Sequence, residues 1–530
     1  MNRLFNTAGP IIEEDHYHID PLHRVDWEEI QFLIKSKNYF ALHAPRQTGK
    51  TSTMLAMMRT LNQSGEYQAL YANIEAAQAM RGDADRGIKT VCKAIADQAS
   101  HQNITQNLQE ILKNTLEQDI AGAALTDLLA EWAKSSDKPC VLFLDEVDAL
   151  IGDTLISLLR QIRAGYAQRP MAFPQSIVLC GVRDVRDYRI HSGGEIITGG
   201  SAFNIKSASL RMGNFSRDEV HALYQQHTKD TGQPFTEDIF EPLWQDTRGQ
   251  PWLVNALAHE LVHVNKTNRD RSKTITLEDY RVARERLICS RATHLDQLSD
   301  KLKESRVRSV IAPMLEGENA QQMVVDDVDY VIDLGLINRA DNGALTISNR
   351  IYQEVIPREL SWSSQMGIEQ TQAWYITADG TIDMKKLLQA FQQFFRENAD
   401  AWLERFDYKE AAPHLLLQAF LQRIINGGGR INREYALGRK RTDLMIEWPT
   451  TDKGFYGNVQ RIVIELKILY GALDTCIENG LKQTAEYADK LGADETHLVI
   501  FNRNSTLDWD DKIWHQQSKH QMRSIDIWGC

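Results

Sequence analysis

Eight consecutive residues near the start of the chain constrain its fold more than any others: Ala44, Pro45, Arg46, Gln47, Thr48, Gly49, Lys50 and Thr51. They follow an apolar strand-like run and precede a helical pattern, which predicts a strand–loop–helix unit. Small residues in such a loop let backbone N–H groups surround a phosphate at the helix N-terminus. Lys50 would then reach the β- and γ-phosphates, and the Thr51 hydroxyl would bind Mg²⁺. The sequence therefore predicts a nucleotide-binding P-loop, with Ala44 in place of the first glycine of the usual GxxxxGK[ST] pattern.

An acidic strand end further along the chain completes this prediction. The apolar run 142–144 leads directly into Asp145 and Glu146. Asp145 would hold Mg²⁺ through a water molecule, and Glu146 would orient and deprotonate the attacking water. The alternative is a chance strand–turn–helix beside an unrelated pair of surface carboxylates. Because both halves of the motif occur in the expected order, we predict ATP and Mg²⁺ as cofactors.

The hydrophobic pattern around these residues indicates the fold class. Strand-like runs occupy residues 39–43, 67–72, 141–145 and 176–180, and a long helical region extends to about residue 134. Alternation of strands and helices predicts an α/β fold in which a parallel sheet is covered by helices. From Ser216 onward the pattern is helical, and it begins with the spacing of a capping box between Ser216 and Glu219.

The two halves of the phosphate motif, followed by this helical region, resemble the AAA+/STAND-type ATPases over residues 10–360. The segment 249–251, Gly-Gln-Pro, resembles the GxP motif that this branch places near the nucleotide, so Pro251 is a candidate nucleotide-binding residue. The resemblance implies a sensor role for Arg183, which follows the fourth predicted strand. It also places Arg24 in a box that flanks the adenine.

The resemblance leaves the assembly state of the chain open. A second-sensor arginine is not evident, and no arginine finger is assigned. Arg160 and Arg163 lie on the helix that follows Glu146, but we interpret both as part of a solvated helix face. Homo-oligomerisation therefore stays open.

Residues 303–360 have the pattern of a small helix–helix–hairpin module. One helix carries Val328, Val331 and Ile332, and Asn342-Gly343 supplies a tight turn between two short strands. An Asn-Gly pair between apolar runs is typical of a two-residue hairpin turn. We predict a winged helix here.

A second group of charged residues lies near the end of the chain. Asp443 opens a short apolar run, and Glu465 and Lys467 lie two positions apart on the strand-like run 461–467. Residues two apart on a strand project from the same face. Clustered carboxylates can hold Mg²⁺ for phosphodiester hydrolysis, with a nearby cation to stabilise developing charge. The alternative is a buried salt bridge between Glu465 and Lys467, since an isolated buried charge is costly.

The Asp-x₂₁-Glu-x-Lys spacing resembles the PD-(D/E)XK nuclease superfamily. Gln483 and Tyr487, one helical turn apart, resemble the later Gln/Tyr motif of that superfamily. The resemblance implies that Asp443 and Glu465 bind Mg²⁺ while Lys467 positions the water. It also assigns Gln483 to the catalytic centre.

The charge distribution limits how the chain could bind a polynucleotide. A net charge of −12 argues against a protein that coats nucleic acid with its whole surface. Between residues 423 and 441, six basic residues face a single acid, Glu434, which lies where many superfamily members carry an extra acid. Charge alone fits a solvated loop equally well. Because this basic stretch lies beside the nuclease-like residues in the sequence, it is a candidate rim that contacts phosphates. We therefore predict a nucleic-acid partner. Whether this partner is DNA or RNA stays open.

Length and composition limit the number of domains and the cellular compartment that we expect. A chain of 530 residues exceeds one ordinary core, so we expect about two to four domains. No apolar run approaches the roughly 18 residues that span a bilayer, and the N-terminus lacks the apolar stretch of a signal peptide. The six cysteines show no CxxC spacing, which argues against a zinc knuckle or a disulfide framework. We expect a cytoplasmic protein without a membrane partner.

These patterns predict six segments along the chain: a lead-in segment 1–35, a P-loop ATPase core 36–214, a helical lid 215–300, a winged helix 301–360, a linker 361–382 and a PD-(D/E)XK nuclease-like α/β domain 383–530. We expect ATP binding or hydrolysis to move the lid and winged helix and so to gate an Mg²⁺-dependent nuclease. A role in prokaryotic defence is an expectation by analogy alone. The alternative is an ATP-switched regulatory protein whose C-terminal domain binds nucleic acid or a partner without cutting.

Overall fold

The computed structural model describes most of the chain. Outside the described residues lie 1–2, 106, 118–121, 184–188, 193–194, 199–204, 291–297, 299, 317–322, 341–342, 357–373, 404–411, 427–428, 437–440, 452–454, 456, 505 and 521–522. Only the backbone is described at 189–192, 195–198, 206, 289, 312, 315–316, 397–403, 412, 422–426, 432–436 and 441–443. Of the predicted linker 361–382, the structure therefore describes residues 374–382.

The chain divides into two compact units. The first comprises Met1–Ser290 with Asp333–Gly335, and the second comprises Arg291–Ile332 with Leu336–Cys530. The six predicted segments are finer than this division, so their boundaries remain predictions.

The first unit mixes short strands and helices. Its strands are β1 (Leu4–Phe5), β2 (His16–Tyr17), β3 (Tyr39–His43), β4 (Gln68–Asn73), β5 (Cys140–Asp145), β6 (Ser176–Gly181), β7 (Arg189–Ser192), β8 (Glu195–Thr198) and β9 (Lys206–Arg211). Its helices are α1 (Trp27–Lys35), α2 (Lys50–Ser64), α3 (Ala84–His101), α4 (Leu108–Glu117), α5 (Ala124–Ser135), α6 (Gly152–Gly165), α7 (Arg217–Thr231), α8 (Phe240–Thr247), α9 (Pro251–His259) and α10 (Leu277–Cys289). The long helical region predicted before residue 134 thus contains the three separate helices α3, α4 and α5.

Five parallel strands form the main sheet of this unit, in the order β4-β5-β6-β3-β9. This arrangement confirms the predicted α/β fold with a parallel P-loop sheet. The hydrophobic pattern predicts four of these strands but not β9, because the β9 sequence Lys-Ser-Ala-Ser-Leu-Arg contains few apolar residues. In a parallel sheet all carboxyl ends lie at one edge, and ligands bind outside that edge. The P-loop follows β3, and Asp145 ends β5, so both lie there.

Apolar layers cover both faces of this sheet. On β5, Leu142 and Leu144 belong to a buried cluster with residues of α3, α5 and α6. Val141 and Phe143 belong to a second cluster, which includes residues of α1 and α2. A strand that is buried on both faces requires this alternation of two apolar sets. The sheet therefore provides a rigid base for the loops at its carboxyl edge.

Local capping signals fix the starts of two helices beyond the sheet. The Ser216 hydroxyl accepts a hydrogen bond from the Glu219 N–H, while the Glu219 carboxylate accepts one from the Ser216 N–H, so the capping box predicted before α7 is present. Helix α9 begins at Pro251, whose fixed φ suits the first helical position. The Gln250 side chain caps this helix by accepting the Leu253 N–H at 2.6 Å.

The elements after Ser290 comprise further helices and a second large sheet. The helices are α11 (Ser305–Glu316), α12 (Val325–Asp333), α13 (Met384–Leu403), α14 (Ala412–Asn426), α15 (Leu473–Leu491) and α16 (Trp509–Lys512). The strands are β10 (Ile337–Arg339), β11 (Leu345–Ile347), β12 (Arg430–Ala436), β13 (Arg441–Pro449), β14 (Val459–Ile468), β15 (Glu495–Phe501), β16 (Trp514–His520) and β17 (Arg523–Gly529). Within the described part of the chain, none of the helices combines the length and apolarity needed to cross a membrane.

Helices α11 and α12 precede the antiparallel hairpin β10–β11, which is the element order expected of the helix–helix–hairpin module. Gly343 in the hairpin turn has a φ of 79°, a conformation that favours glycine. Asn342, the other predicted turn residue, lies outside the described residues. The winged-helix assignment stays a prediction.

The second large sheet has the order β12-β13-β14-β15-β17-β16. Strands β12, β13 and β14 form an antiparallel meander, whereas β14, β15 and β17 run parallel. Helix α15 connects two parallel strands, as a crossover connection requires, and its Leu481 packs with Leu498 on one face of the sheet. Phe391 of α13 lies against the other face, with its ring centroid 6.3 Å from that of Phe501.

Candidate functional site

The P-loop has the backbone conformation that its glycine predicts. Gly49 has a φ of 86° and immediately precedes α2, and Gln47 also has a positive φ of 56°. The buried Lys50 ammonium donates to the carbonyl oxygens of Ala44 and Pro45, each at 3.1 Å. Two carbonyl oxygens of the loop therefore bind the lysine of the same loop. These contacts hold the Lys50 ammonium where the phosphates are predicted to lie.

Three hydrogen bonds converge on the Asp145 carboxylate, which is completely buried. The Thr51 hydroxyl donates to Oδ2 at 2.7 Å, and the Tyr71 hydroxyl donates to the same oxygen at 2.9 Å. The Glu146 N–H donates to Oδ1 at 2.9 Å. Hydroxyl and carboxylate oxygens are ligands that Mg²⁺ prefers, directly or through water, so the residues present fit this ion.

Glu146 occupies an unusual position beside this carboxylate. Its φ of 58° lies in the left-handed region, which is strained for a residue other than glycine and often marks a functional position. Burial raises the pKa of Glu146 above its usual range, although the nearby Lys50 ammonium opposes the shift. A carboxylate with a raised pKa is a better proton acceptor when it is ionised. Its predicted role as the base is chemically consistent with this environment.

Arg24 braces the P-loop from the lead-in segment. Its guanidinium donates to the carbonyl oxygens of Thr48 and Gly213 and lies over the Phe215 ring at 5.2 Å from the centroid. Burial lowers the pKa of Arg24 to about 10, so the side chain stays protonated at neutral pH. Arg24, predicted to flank the adenine, thus also supports the loop backbone.

A cavity of about 140 Å³ lies beside the P-loop within the first unit. Its lining includes Arg24, Gln47 and Gly49, together with the lid residue Pro251, so the structure brings these predicted residues together. The Gln250 side chain, in the predicted lid, donates a hydrogen bond to the Gln47 carbonyl oxygen of the P-loop at 3.4 Å. The predicted Gly-Gln-Pro segment therefore borders the candidate nucleotide site.

Three residues that line this cavity carry a buried side-chain oxygen without a hydrogen-bond partner among the described residues: Tyr17 Oη, Gln47 Oε1 and Asn255 Oδ1. The indole N–H of Trp252, another lining residue, donates to the Thr7 carbonyl oxygen at 3.0 Å. The sequence patterns did not indicate Tyr17 or Asn255 as residues of this site. Tyr17 comes from the lead-in segment and Asn255 from α9, so only the folded unit brings them to one cavity.

Arg183 lies two residues beyond β6, between the carboxyl ends of β3 and β5 in the sheet order. The Ala44 N–H at the start of the P-loop donates to the Gly181 carbonyl oxygen at 3.2 Å. Arg183 therefore lies at the same edge as the phosphate loop. This position agrees with the predicted sensor role, which stays a prediction.

The model of a family described as the AAA-like domain matches residues 21–356, more than half of the chain. The chain belongs to this AAA-like domain family. The matched residues contain the P-loop, the Asp145-Glu146 pair and the segment 215–300, which was predicted as a helical lid.

Several solved structures are similar at low identity. The Walker-type ATPase of Pyrococcus abyssi is 12% identical, with a TM-score of 0.45 over 66% of this chain and 99% of that chain. Cdc6p from Pyrobaculum aerophilum is 15% identical, with a TM-score of 0.35 over 66% of this chain and 100% of that chain. A RuvB variant of Thermotoga maritima is 11% identical, with a TM-score of 0.33 over 63% and 94% of the respective chains. No curated protein matches this sequence.

The second predicted site lies beyond the residues matched to the AAA-like domain. In the C-terminal sheet, Glu434 on β12 pairs with Asp443 on β13, and Asp443 pairs with Glu465 on β14. Three acidic positions therefore form one row across three neighbouring strands. The side chains of Glu434 and Asp443 lie outside the described part of the structure.

Glu465 and Lys467 form an ion pair on β14. The Lys467 ammonium donates to Glu465 Oε1, and the Glu465 side chain is completely buried. This contact is the salt bridge that the sequence left open as an alternative. Among the described side chains, no group of three or more His, Cys, Asp or Glu residues could hold a metal ion, and Asp443 is not one of those side chains.

Helix α15 carries the two residues of the predicted Gln/Tyr motif. Tyr487 belongs to a buried cluster with Val463, two residues before Glu465 on β14. Gln483 lies one turn earlier on the same helix, and its Oε1 is buried without a hydrogen-bond partner among the described residues. The motif therefore lies on the helix that covers the strand carrying Glu465.

The predicted basic rim is described only in part. Arg430 opens β12, and its guanidinium lies over the Phe455 ring at 3.7 Å from the centroid. Arg439 and Lys440 lie outside the described residues, and of the other basic positions between 431 and 441 only the backbone is described. The rim therefore stays a prediction.

Proposed function

We propose that the AAA-like domain binds and hydrolyses ATP with Mg²⁺. The observation that carries this proposal is the joined arrangement of both halves of the phosphate motif, in which Thr51 donates to Asp145 at 2.7 Å. Lys50 lies on the same loop, and Glu146 follows the buried carboxylate. A chance resemblance would not require the two halves to meet in space.

Each residue has a distinct part in the proposed reaction. Lys50 would leave the loop carbonyls and bind the β- and γ-phosphates, while the loop N–H groups surround them. When bound, Mg²⁺ would neutralise phosphate charge during transfer. Thr51 and Asp145 would hold the ion, and Glu146 would orient the attacking water and accept its proton. Arg183 is proposed to respond to the γ-phosphate.

The cavity beside the loop is the proposed site of the adenine ring. Its lining residues Gln47 and Asn255 offer side-chain oxygens that accept hydrogen bonds and have no partner among the described residues. The exocyclic amine of adenine is a donor, whereas guanine presents a carbonyl oxygen at the same ring position. A buried acceptor left without a donor is costly, so these oxygens favour adenine over guanine.

Substitution of Lys50 tests the nucleotide site. Lys50→Ala is expected to lower ATP hydrolysis about a hundredfold or more, because it removes the cation from the β- and γ-phosphates. Lys35→Ala, an exposed residue at the end of α1, is the matched control and should hydrolyse ATP at the wild-type rate. Hydrolysis that survives in Lys50→Ala would refute the proposed site.

We propose further that the C-terminal unit cleaves nucleic acid in an Mg²⁺-dependent manner. The row Glu434–Asp443–Glu465 supports this, because directly opposed positions on neighbouring strands share one face of a sheet. Asp443 and Glu465 would hold Mg²⁺, and Lys467 would leave its ion pair to position the water. Gln483 would contribute from α15. The nucleic acid would be DNA or RNA.

Gating is the proposed link between the two activities. ATP binding or hydrolysis would rearrange the lid and the proposed winged helix, and this would control the nuclease in a protein that could assemble as a homo-oligomer. A role in prokaryotic defence is compatible with this mechanism. The proposal rests on the presence of both residue sets in one chain.

A second candidate function is an ATP-switched regulatory protein whose C-terminal unit binds without cutting. The Glu465–Lys467 ion pair favours this candidate, because the Lys467 ammonium already compensates the charge of the buried carboxylate without a metal ion. A buried carboxylate in such a pair must lose its partner before it can bind Mg²⁺.

A cleavage panel separates the two candidates. Single- and double-stranded DNA and RNA are incubated with Mg²⁺ or Mn²⁺, with and without ATP, using wild type, Asp443→Ala and Lys50→Ala. Cleavage that is lost in Asp443→Ala supports the nuclease, and cleavage that no longer depends on ATP in Lys50→Ala supports gating. Binding without cleavage in all three proteins supports the regulatory candidate. Cleavage with unchanged ATP dependence in Lys50→Ala refutes gating.

A further inference from the structure

Two hydroxyl groups donate to a single oxygen of Asp145. Thr51 Oγ1 lies 2.7 Å from Oδ2, and Tyr71 Oη lies 2.9 Å from the same atom. Oδ1 accepts the Glu146 N–H at 2.9 Å. Because Asp145 is completely buried, these donors replace the water that would otherwise stabilise its charge.

Hydrogen bonds fix the Tyr71 backbone on an edge strand of the main sheet. It lies on β4, which is the terminal strand in the sheet order, and pairs with Phe143 of β5. The Gln102 side chain clamps the Tyr71 backbone, since its Oε1 accepts the Tyr71 N–H at 3.3 Å and its Nε2 donates to the Tyr71 carbonyl oxygen at 2.8 Å. The Tyr71 side chain is 6% exposed, so its hydroxyl has a fixed position.

The Tyr71 hydroxyl acts as a donor. A phenol carries one hydrogen, and the Tyr71 hydroxyl directs it to Asp145 Oδ2 at 2.9 Å. A hydroxyl has one hydrogen and two lone pairs, and Thr51 directs its hydrogen to Asp145 Oδ2. The lone pairs of Thr51 are thereby left for a cation, as long as Asp145 stays in place.

We propose that Tyr71 is a positioning residue that fixes Asp145 and, through it, the Thr51 hydroxyl in the orientation that binds Mg²⁺. The inference rests on the proposed ATP site and adds a residue outside both halves of the phosphate motif. Tyr71 acts through Asp145 and touches neither the phosphates nor the reacting water. Its contribution is therefore specific to nucleotide binding that depends on Mg²⁺.

The test measures ATP affinity with Mg²⁺ and with EDTA in the full chain. Tyr71→Phe removes one hydroxyl and is expected to weaken Mg²⁺-ATP binding about tenfold, since hydrogen bonds to charged groups are among the strong ones. Affinity in EDTA should stay at the wild-type value. Tyr39→Phe is the matched control: Tyr39 is also buried in the same sheet, and its hydroxyl donates to the Pro174 carbonyl oxygen at 2.8 Å. It should leave both affinities unchanged.

A double-mutant cycle shows whether Tyr71 acts through Thr51. In a Thr51→Val background, Tyr71→Phe should cause little further loss of Mg²⁺-dependent affinity. Independent, multiplying losses would overturn the inference. An equal loss of ATP affinity in Mg²⁺ and in EDTA would also overturn it. The same holds if Mg²⁺ raises the ATP affinity of Tyr71→Phe as much as it raises that of the wild type. If the wild-type protein binds no ATP at all, the proposed function fails, whereas a failure confined to Tyr71→Phe leaves that function intact.

Discussion

The two candidate sites differ in how their buried carboxylates are stabilised. Asp145 accepts hydrogen bonds from two hydroxyls and one backbone N–H, all of them neutral donors. Glu465 is stabilised by the Lys467 ammonium on its own strand. Neutral donors leave the negative charge available to a cation, whereas an ion pair has already compensated it. The first site is thus prepared for Mg²⁺, and the second must exchange a partner to bind it.

The largest expected effect on catalysis concerns the base of the nucleotide site. Glu146→Gln keeps the size of the side chain and removes its ability to accept a proton, so hydrolysis should fall about a hundredfold or more while ATP binding persists. Phosphate release and equilibrium ATP binding measure the two quantities. Glu131→Gln, on the exposed face of α5, should behave as wild type. Rapid hydrolysis by Glu146→Gln would remove Glu146 from the proposed mechanism.

The ion pair of the C-terminal sheet provides the next test. Lys467→Met leaves the completely buried Glu465 carboxylate without its cation, which should destabilise β14 by about 3–5 kcal/mol. Hydrogen exchange of the β14 amides measures the free energy of opening in the full chain. Lys519→Met on β16 is exposed and serves as the control.

The same variant tests whether Glu465 can use a metal ion in place of lysine. Combining Glu465→Gln with Lys467→Met should restore most of the lost stability, because the uncompensated charge is gone. If Mg²⁺ replaces the lost cation, it should protect the β14 amides of Lys467→Met more than those of wild type. If Lys467→Met lowers the free energy of opening of β14 by less than about 1 kcal/mol, the ion pair is not what stabilises the buried Glu465 carboxylate. The proposed difference between the two sites would then be wrong.

Gly249, in the predicted lid, tests how much the close packing beside the P-loop contributes to the stability of the first site. Gly249 has a φ of 71°, and a Cβ there would lie 1.9 Å from the Phe215 carbonyl oxygen. Gly249→Ala should therefore cost about 2 kcal/mol or more in the free energy of opening of α9, and ATP affinity should fall with it. Gly232→Ala, with a φ of 75° but open space around the added Cβ, should cost only about 1 kcal/mol. Equal costs would show that the close approach to Phe215 is unimportant.

The smallest effect is expected in base selectivity. Asn255→Ala removes one of the buried acceptors in the cavity, so ATP affinity should fall about threefold to tenfold while GTP affinity changes less. Competition between the two nucleotides measures the selectivity directly. Asn114→Ala, on exposed surface of α4, is the control. A parallel loss of both affinities would show that Asn255 does not discriminate between the bases.

Sequence patterns predicted the local parts of the molecule well. The P-loop lies between a strand and a helix, and Asp145 ends a buried strand, because apolar periodicity and small residues determine such short units. The capping box at Ser216 is equally local. In contrast, β9 was not predicted, because this polar edge strand has no apolar pattern.

Residues contributed from distant parts of the chain could not be predicted in this way. In the sequence, Tyr71 is indistinguishable from any other strand residue. Only the pairing of β4 with β5 places its hydroxyl next to Asp145. Tyr17 and Asn255 likewise border one cavity only in the folded unit. At the C-terminal site, the spacing of Glu465 and Lys467 predicted one shared strand face, but it left the ion pair as an alternative.

The sequence by itself determined which chemical groups are present and which of them lie on one local unit. It specified the phosphate loop, the acidic strand end and the Glu-x-Lys strand, because backbone geometry fixes the spacing within a loop, helix or strand. Only the tertiary structure decided strand order and register, which place Tyr71 against Asp145 and align Glu434, Asp443 and Glu465. Strand register depends on the burial of whole faces in a shared core, and no short segment of sequence contains that information.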